Sequence, residues 1–94
     1  MITKESLAPL IGEITWCWNH LYFIETSIGN FVWSDPNYLG GDNTIRPFNG
    51  TFNLFRKSCA NIPYGRDKGK HIIKDYCPNF EFVDVPFNGI TDEL

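Results

Sequence analysis

Apolar and polar positions alternate most clearly between Ile14 and Trp33, ITWCWNHLYFIETSIGNFVW. Alternation places Ile14, Trp16 and Trp18 on one face of a first strand and Glu13, Thr15 and Cys17 on the other. Leu21 to Glu25 follows, apolar on both faces, as a strand covered from both sides must be. Phe31-Val32-Trp33 makes a third strand. Asn19-His20 and Ser27-Ile28-Gly29-Asn30 separate the three runs with residues suited to reversing the chain. The pattern predicts an antiparallel meander over 13–33.

The flanking pattern is weaker. Leu7, Leu10 and Ile11 fall at helical spacing, which predicts a short helix over 3–11 capped by Ser6, with Pro9 in its first turn. Ser34 to Asn43 contains Asp-Pro, Gly-Gly and Asp-Asn and reads as a ten-residue loop, long enough to be functional or mobile. Asn49-Gly50 is compatible with a hairpin turn. Thr51 can instead cap a helix over about 51–60 in which Phe52, Phe55 and Cys59 share a face. Pro47 argues against a central strand before the turn, so the helix is preferred. Arg66 to Lys70 reads as an exposed charged segment, His71 to Cys77 as a second short helix, and 80–85 as a last strand. The expected fold is a small single α+β domain. A three- to four-stranded, mostly antiparallel sheet (the meander plus 80–85) carries one or two short helices on one face, with a frayed tail over about 88–94.

Composition adds an aromatic excess. Fifteen of the 94 residues are Phe, Tyr or Trp, more rings than a small interior readily absorbs. Trp16, Trp18, Tyr22 and Trp33 therefore form a candidate interface patch, for a protein partner or for self-association. Charge is segregated. Residues 1–45 sum to −4, residues 46–74 to +6 and residues 75–94 to −5. The basic middle contributes a candidate ligand or anion site, Arg56, Lys57, Tyr64, Arg66, Lys68 and Lys70. There cations, glycines and an aromatic plane suit phosphate or nucleic acid. It matches no Walker or dinucleotide glycine pattern.

Chemistry beyond binding finds little support. Cys59, His71 and Cys77 lack the close pairing of a structural zinc site, so no metal is expected, and no cofactor motif is present. His20 and His71 allow pairings with cysteines, and Asp35 with Asp42 could act as an acid/base pair. None carries the spacing of a known nucleophile motif, and turn roles for both aspartates are the plainer reading. No residue is assigned as catalytic. No run reaches the roughly 20 apolar residues of a membrane span, and the N-terminus does not resemble a secretory signal. Three unpaired-looking cysteines then suggest a reducing, cytoplasmic setting. The expectation is a small non-enzymatic interaction module acting through protein contact, accessory, regulatory or inhibitor-like, of the kind that mobile genetic elements carry. Its expected working surfaces are loop 35–43 and the basic segment 56–70. Nucleic-acid or phosphate binding is the alternative, and a small-molecule pocket or weak enzyme the third possibility.

Overall fold

The computed structural model describes residues 1–18, 20–58 and 66–87, with backbone alone for Cys17, Trp18, Ser58, Arg66 and Asp67. Among the described residues the chain forms α1 (Lys4–Leu7), β1 (Ile11–Trp18), β2 (Leu21–Thr26), β3 (Gly29–Ser34), β4 (Thr44–Pro47), α2 (Phe52–Ser58), β5 (Arg66–Ile72), α3 (Ile73–Tyr76) and β6 (Glu81–Phe82). The six strands lie in the order β5-β1-β2-β3-β4-β6. Neighbours are antiparallel except β4 and β6, which run parallel.

The meander is present, slightly longer than its periodicity indicates. Trp16 faces Tyr22 and Tyr22 faces Trp33, so ring sits beside ring across three strands. Ser27-Ile28 closes the β2–β3 hairpin. There the Thr26 hydroxyl donates to the Gly29 carbonyl at 2.7 Å and accepts the Ile28 N–H at 3.1 Å. Leu21, Tyr22, Phe23 and Ile24 are all buried, as a strand with two covered faces requires.

The rest of the expected fold is corrected. The described residues form six strands rather than three or four, and three helices on two faces rather than one or two on one face. The physical reason is the route of the chain. It leaves β4 beside one edge of the sheet and re-enters at β5 on the opposite edge, with α2 packed on one face between them. It then returns to β6 beside β4, and Ile73 of α3, Cys77 and Phe80 lie on the other face along the way. Each traverse supplies one apolar layer. Leu7 of α1 joins the layer over Ile14, Tyr22, Ile24, Phe31, Trp33 and Ile45, while Phe55 of α2 packs with Leu21, Phe23 and Val32.

Local reasons account for each altered boundary. Arg66 to Lys70 is not a loop but most of β5. The open edge of β1 recruits it through backbone pairing, which asks nothing of the side chains. The register slips by one residue opposite Ile14, and Gly69 takes a φ of 89° there, a left-handed bulge that suits glycine. His71 and Ile72 extend this strand, leaving only Ile73–Tyr76 for the helix expected over 71–77. Thr44 to Pro47 is a strand after all. Pro47 is tolerated as its last residue, where its carbonyl accepts the Phe87 N–H at 2.8 Å. The strand expected over 80–85 shrinks to Glu81–Phe82.

Two capping details complete the picture. Helix α1 is capped by Thr3, not Ser6. The two exchange backbone and hydroxyl bonds as a capping box, so the helix ends before Pro9. Helix α2 begins as Thr51 predicts, with the Thr51 hydroxyl accepting the Leu54 N–H at 3.2 Å. Cys59, Tyr64 and the tail over 88–94 lie outside the described residues. No described helix is long and apolar enough to cross a membrane.

Candidate functional site

The end of the sheet where β2 begins and β3 finishes carries the loop 35–43, and most of the unusual chemistry collects around it. The loop is held by its own backbone. The Asp35 N–H donates to the His20 carbonyl at 2.7 Å, tying the loop to the start of β2. The Asp35 carboxylate accepts the Asn37 N–H at 2.9 Å, and its carbonyl accepts the Tyr38 N–H at 3.2 Å. The Gly41 N–H donates to the Tyr38 carbonyl at 2.9 Å, and the Asn43 N–H to the Ser34 carbonyl at 2.8 Å. Asp42 accepts both the Thr44 N–H, at 3.2 Å, and the Thr44 hydroxyl, at 2.8 Å. Both aspartates thus make turns of the kind their sequence neighbours suggest.

Asn43 closes the loop and joins it to β6. It adopts a left-handed φ of 63°. Its side-chain oxygen accepts the Trp33 indole N–H at 2.9 Å, and its amide donates to the carbonyls of Pro78 and Asn79, each at 3.1 Å. Its own carbonyl takes the Glu81 N–H at 2.9 Å.

Asp35 is only 5% exposed, the one charged residue in the described core. Rings surround it. Tyr22 stands 5.0 Å from Trp33 and 6.2 Å from Tyr76, and Tyr76 lies 4.5 Å from His71 between ring centres. Burial first, and then the charge of Asp35, push the Tyr22 hydroxyl well above the ordinary phenol range. Burial, then the neighbouring Cys77, raise Tyr76 in the same direction. The Cys77 thiol is pushed up by burial and then by Asp35, so it is an inert packing group rather than a nucleophile. Asp42 behaves oppositely. Burial raises it, but hydrogen bonds from Thr44 and Ser34 and the charge of Arg46 outweigh that and hold its carboxyl below the usual range.

The loop separates two small cavities. One, of about 180 Å³, is lined by Trp16, Tyr22, Tyr38 and Lys68. The other, of about 190 Å³, opens on the Phe23 side of the sheet. Helix α2 is seven residues long, roughly 10 Å, and too short to cover that whole face. Leu21 and Val32 form an apolar part of its lining with Phe87, and Ser34, Asp42, Thr44 and Arg46 form a polar part. His20 completes it, with its ring against Gly40 and a buried Nδ1 that has no hydrogen-bond partner among the described residues.

The fold sets three of the aromatic residues singled out from the sequence side by side and places the basic ones on two separate elements. Tyr22 and Trp33 are buried in the core and Trp16 is partly buried against it, while the Trp18 side chain lies outside the description. Of the basic set, Lys57 is exposed and Arg56 partly buried on α2, and Lys68 and Lys70 are exposed on the edge strand β5. Tyr64 and the Arg66 side chain are not described. Lysines on a bulged edge strand have a structural purpose of their own, since they discourage pairing with another sheet. His71 belongs to β5 and shares its Nε2 with the Lys68 carbonyl at 2.9 Å. Among the described residues no three His, Cys, Asp or Glu side chains gather closely enough to hold a metal ion. No protein family, no curated protein and no solved structure matches this chain. The sequence reading missed that Asp42, Arg46 and His20 line one cavity. Only the fold of the loop brings the three to one cavity.

Proposed function

We propose that this chain is a small non-enzymatic interaction module that works by protein contact, with the loop 35–43 as its contact surface. The observation that carries this reading is the contrast between the base of the loop and its tip. The base is fixed by Asp35, Ser34 and Asn43, yet the tip presents Leu39 at 93% exposure and Tyr38 at 47%. A large aliphatic side chain held in water by an ordered backbone gains nothing for the isolated fold, and loops built on rigid scaffolds are where contacts are made. Tyrosine beside leucine is also the chemistry of an interface anchor.

The test is an association measurement with a stability control. Leu39→Asp leaves the free energy of urea unfolding unchanged to within about 0.5 kcal/mol, because nothing buried is disturbed. It abolishes whatever concentration-dependent self-association light scattering detects, and with it retention of a binding partner on the immobilised protein. Association that survives both Leu39→Asp and Tyr38→Ser places the contact elsewhere and contradicts the proposal.

A further inference from the structure

We infer that the cavity beside Asp42 and Arg46 is a binding site for a small zwitterion, a free aliphatic α-amino acid. This goes beyond protein contact through the outer side of the loop, because the cavity uses the loop's inner side. Three features place the two charges and the apolar contact of such a ligand together.

The first is charge. Arg46 and Asp42 line the same cavity, and the field of Arg46 acts on Asp42. A purely anionic ligand finds an acceptor-only carboxylate in its way, and a purely cationic one finds a guanidinium. A ligand carrying both charges meets a partner for each. The second is spare hydrogen-bonding capacity. Asp42 takes the two Thr44 bonds through one oxygen, Oδ1, and a further one from Ser34, while a carboxylate offers about four acceptor positions. Arg46 has five N–H donors in a fork that matches an α-carboxylate. The third is size and apolarity. A cavity of about 150 Å³ lined by aliphatic groups holds benzene, so about 190 Å³ with Leu21, Val32 and Phe87 on its lining suits a short branched side chain. His20, whose Nδ1 has no partner among the described residues, adds a polar wall that no purely structural cavity requires.

The cavity with Trp16, Tyr22 and Tyr38 is a weaker candidate. Lys68 on its lining opposes a cation over the rings, and the Tyr22 hydroxyl is already drawn to Asp35.

The experiment is a titration of the ¹⁵N-labelled full chain followed by amide chemical shifts, with L-leucine, 4-methylpentanoic acid and 3-methylbutylamine as probes. The two analogues lack the ammonium and the carboxylate respectively. L-leucine is expected to move the amides of Ser34, Asp42, Thr44 and Arg46 with saturation at about 1 mM or below. Each analogue is expected to bind at least about tenfold more weakly, and so are the variants Arg46→Gln and Asp42→Asn toward L-leucine. Leu39→Asp should leave the titration unchanged, which separates this site from the proposed protein contact. No shift with L-leucine at about 10 mM overturns the inference. So does equal binding of 4-methylpentanoic acid, which would make the site a simple carboxylate pocket.

Discussion

Gly41→Ala removes about 3 kcal/mol or more of stability and releases the loop 35–43 from the sheet end. A Cβ at this position would overlap the Asp35 carbonyl oxygen and carbon. Those are backbone atoms, so no rotamer change relieves the overlap. The chain must separate Gly41 from Asp35, and the bonds from Tyr38 and Asn37 to Asp35 are strained or lost with it. A buried carboxylate that loses its donors is costly, which adds to the steric term. Urea unfolding followed by tryptophan fluorescence gives the stability loss. The amide spectrum should show the change concentrated at 35–43 and at His20, whose carbonyl holds the Asp35 N–H. A loss below about 1 kcal/mol would mean that the close approach is not maintained in solution.

Phe23→Ala is expected to cost about 3–5 kcal/mol, the range for truncating a fully buried phenylalanine. Phe23 is fully buried on β2, stacked on Phe55 at 5.5 Å and flanked by Phe52 at 5.6 Å and Phe48 at 6.0 Å. It is the strand residue against which the rings of α2 close. Helix α2 is short, well below the length at which a helix holds itself together in water. Its place on the sheet depends on this ring cluster. Domains of this size hold a total of only about 5–15 kcal/mol, so the variant retains little margin. Urea unfolding measures the loss, and far-ultraviolet circular dichroism shows whether helix is lost before the sheet melts. A cost near 1 kcal/mol would show that α2 and Phe87 repack freely over the gap.

The meander and the cap of α2 were legible because their signals are local. Alternation over Ile14–Trp18, a doubly apolar Leu21–Ile24 and Thr51 before a phenylalanine pair each state their structure within a few residues. β5 was not legible. Its residues RDKGKHI carry no apolar alternation, and their strand conformation comes from the vacant edge of β1. The same holds for β4, where Pro47 argues against a strand until its place at the strand end is known. The second covered face followed from neither stretch alone, since it depends on a chain that crosses the sheet twice. For the candidate site, the turns at Asp35 and Asp42 could be read from composition. The burial of Asp35 among tyrosines could not, because Tyr22, Tyr38 and Tyr76 are brought together only by tertiary structure. Aromatic excess pointed toward a surface patch, yet Tyr22 and Trp33 are absorbed by the core. A sheet with two covered faces has more interior than a sheet with one.

Amide hydrogen exchange of the wild-type chain at Tyr38, Gly41 and Asn43 tests whether the sheet-end loop is a fixed projection. Their N–H groups donate to Asp35, Tyr38 and Ser34 respectively. All three should exchange at least about 100-fold more slowly than in an unstructured peptide, while the exposed amide of Leu39 exchanges fast. Exchange at unstructured rates for all four would show a loop that hangs free, and with it no ordered surface to meet a partner.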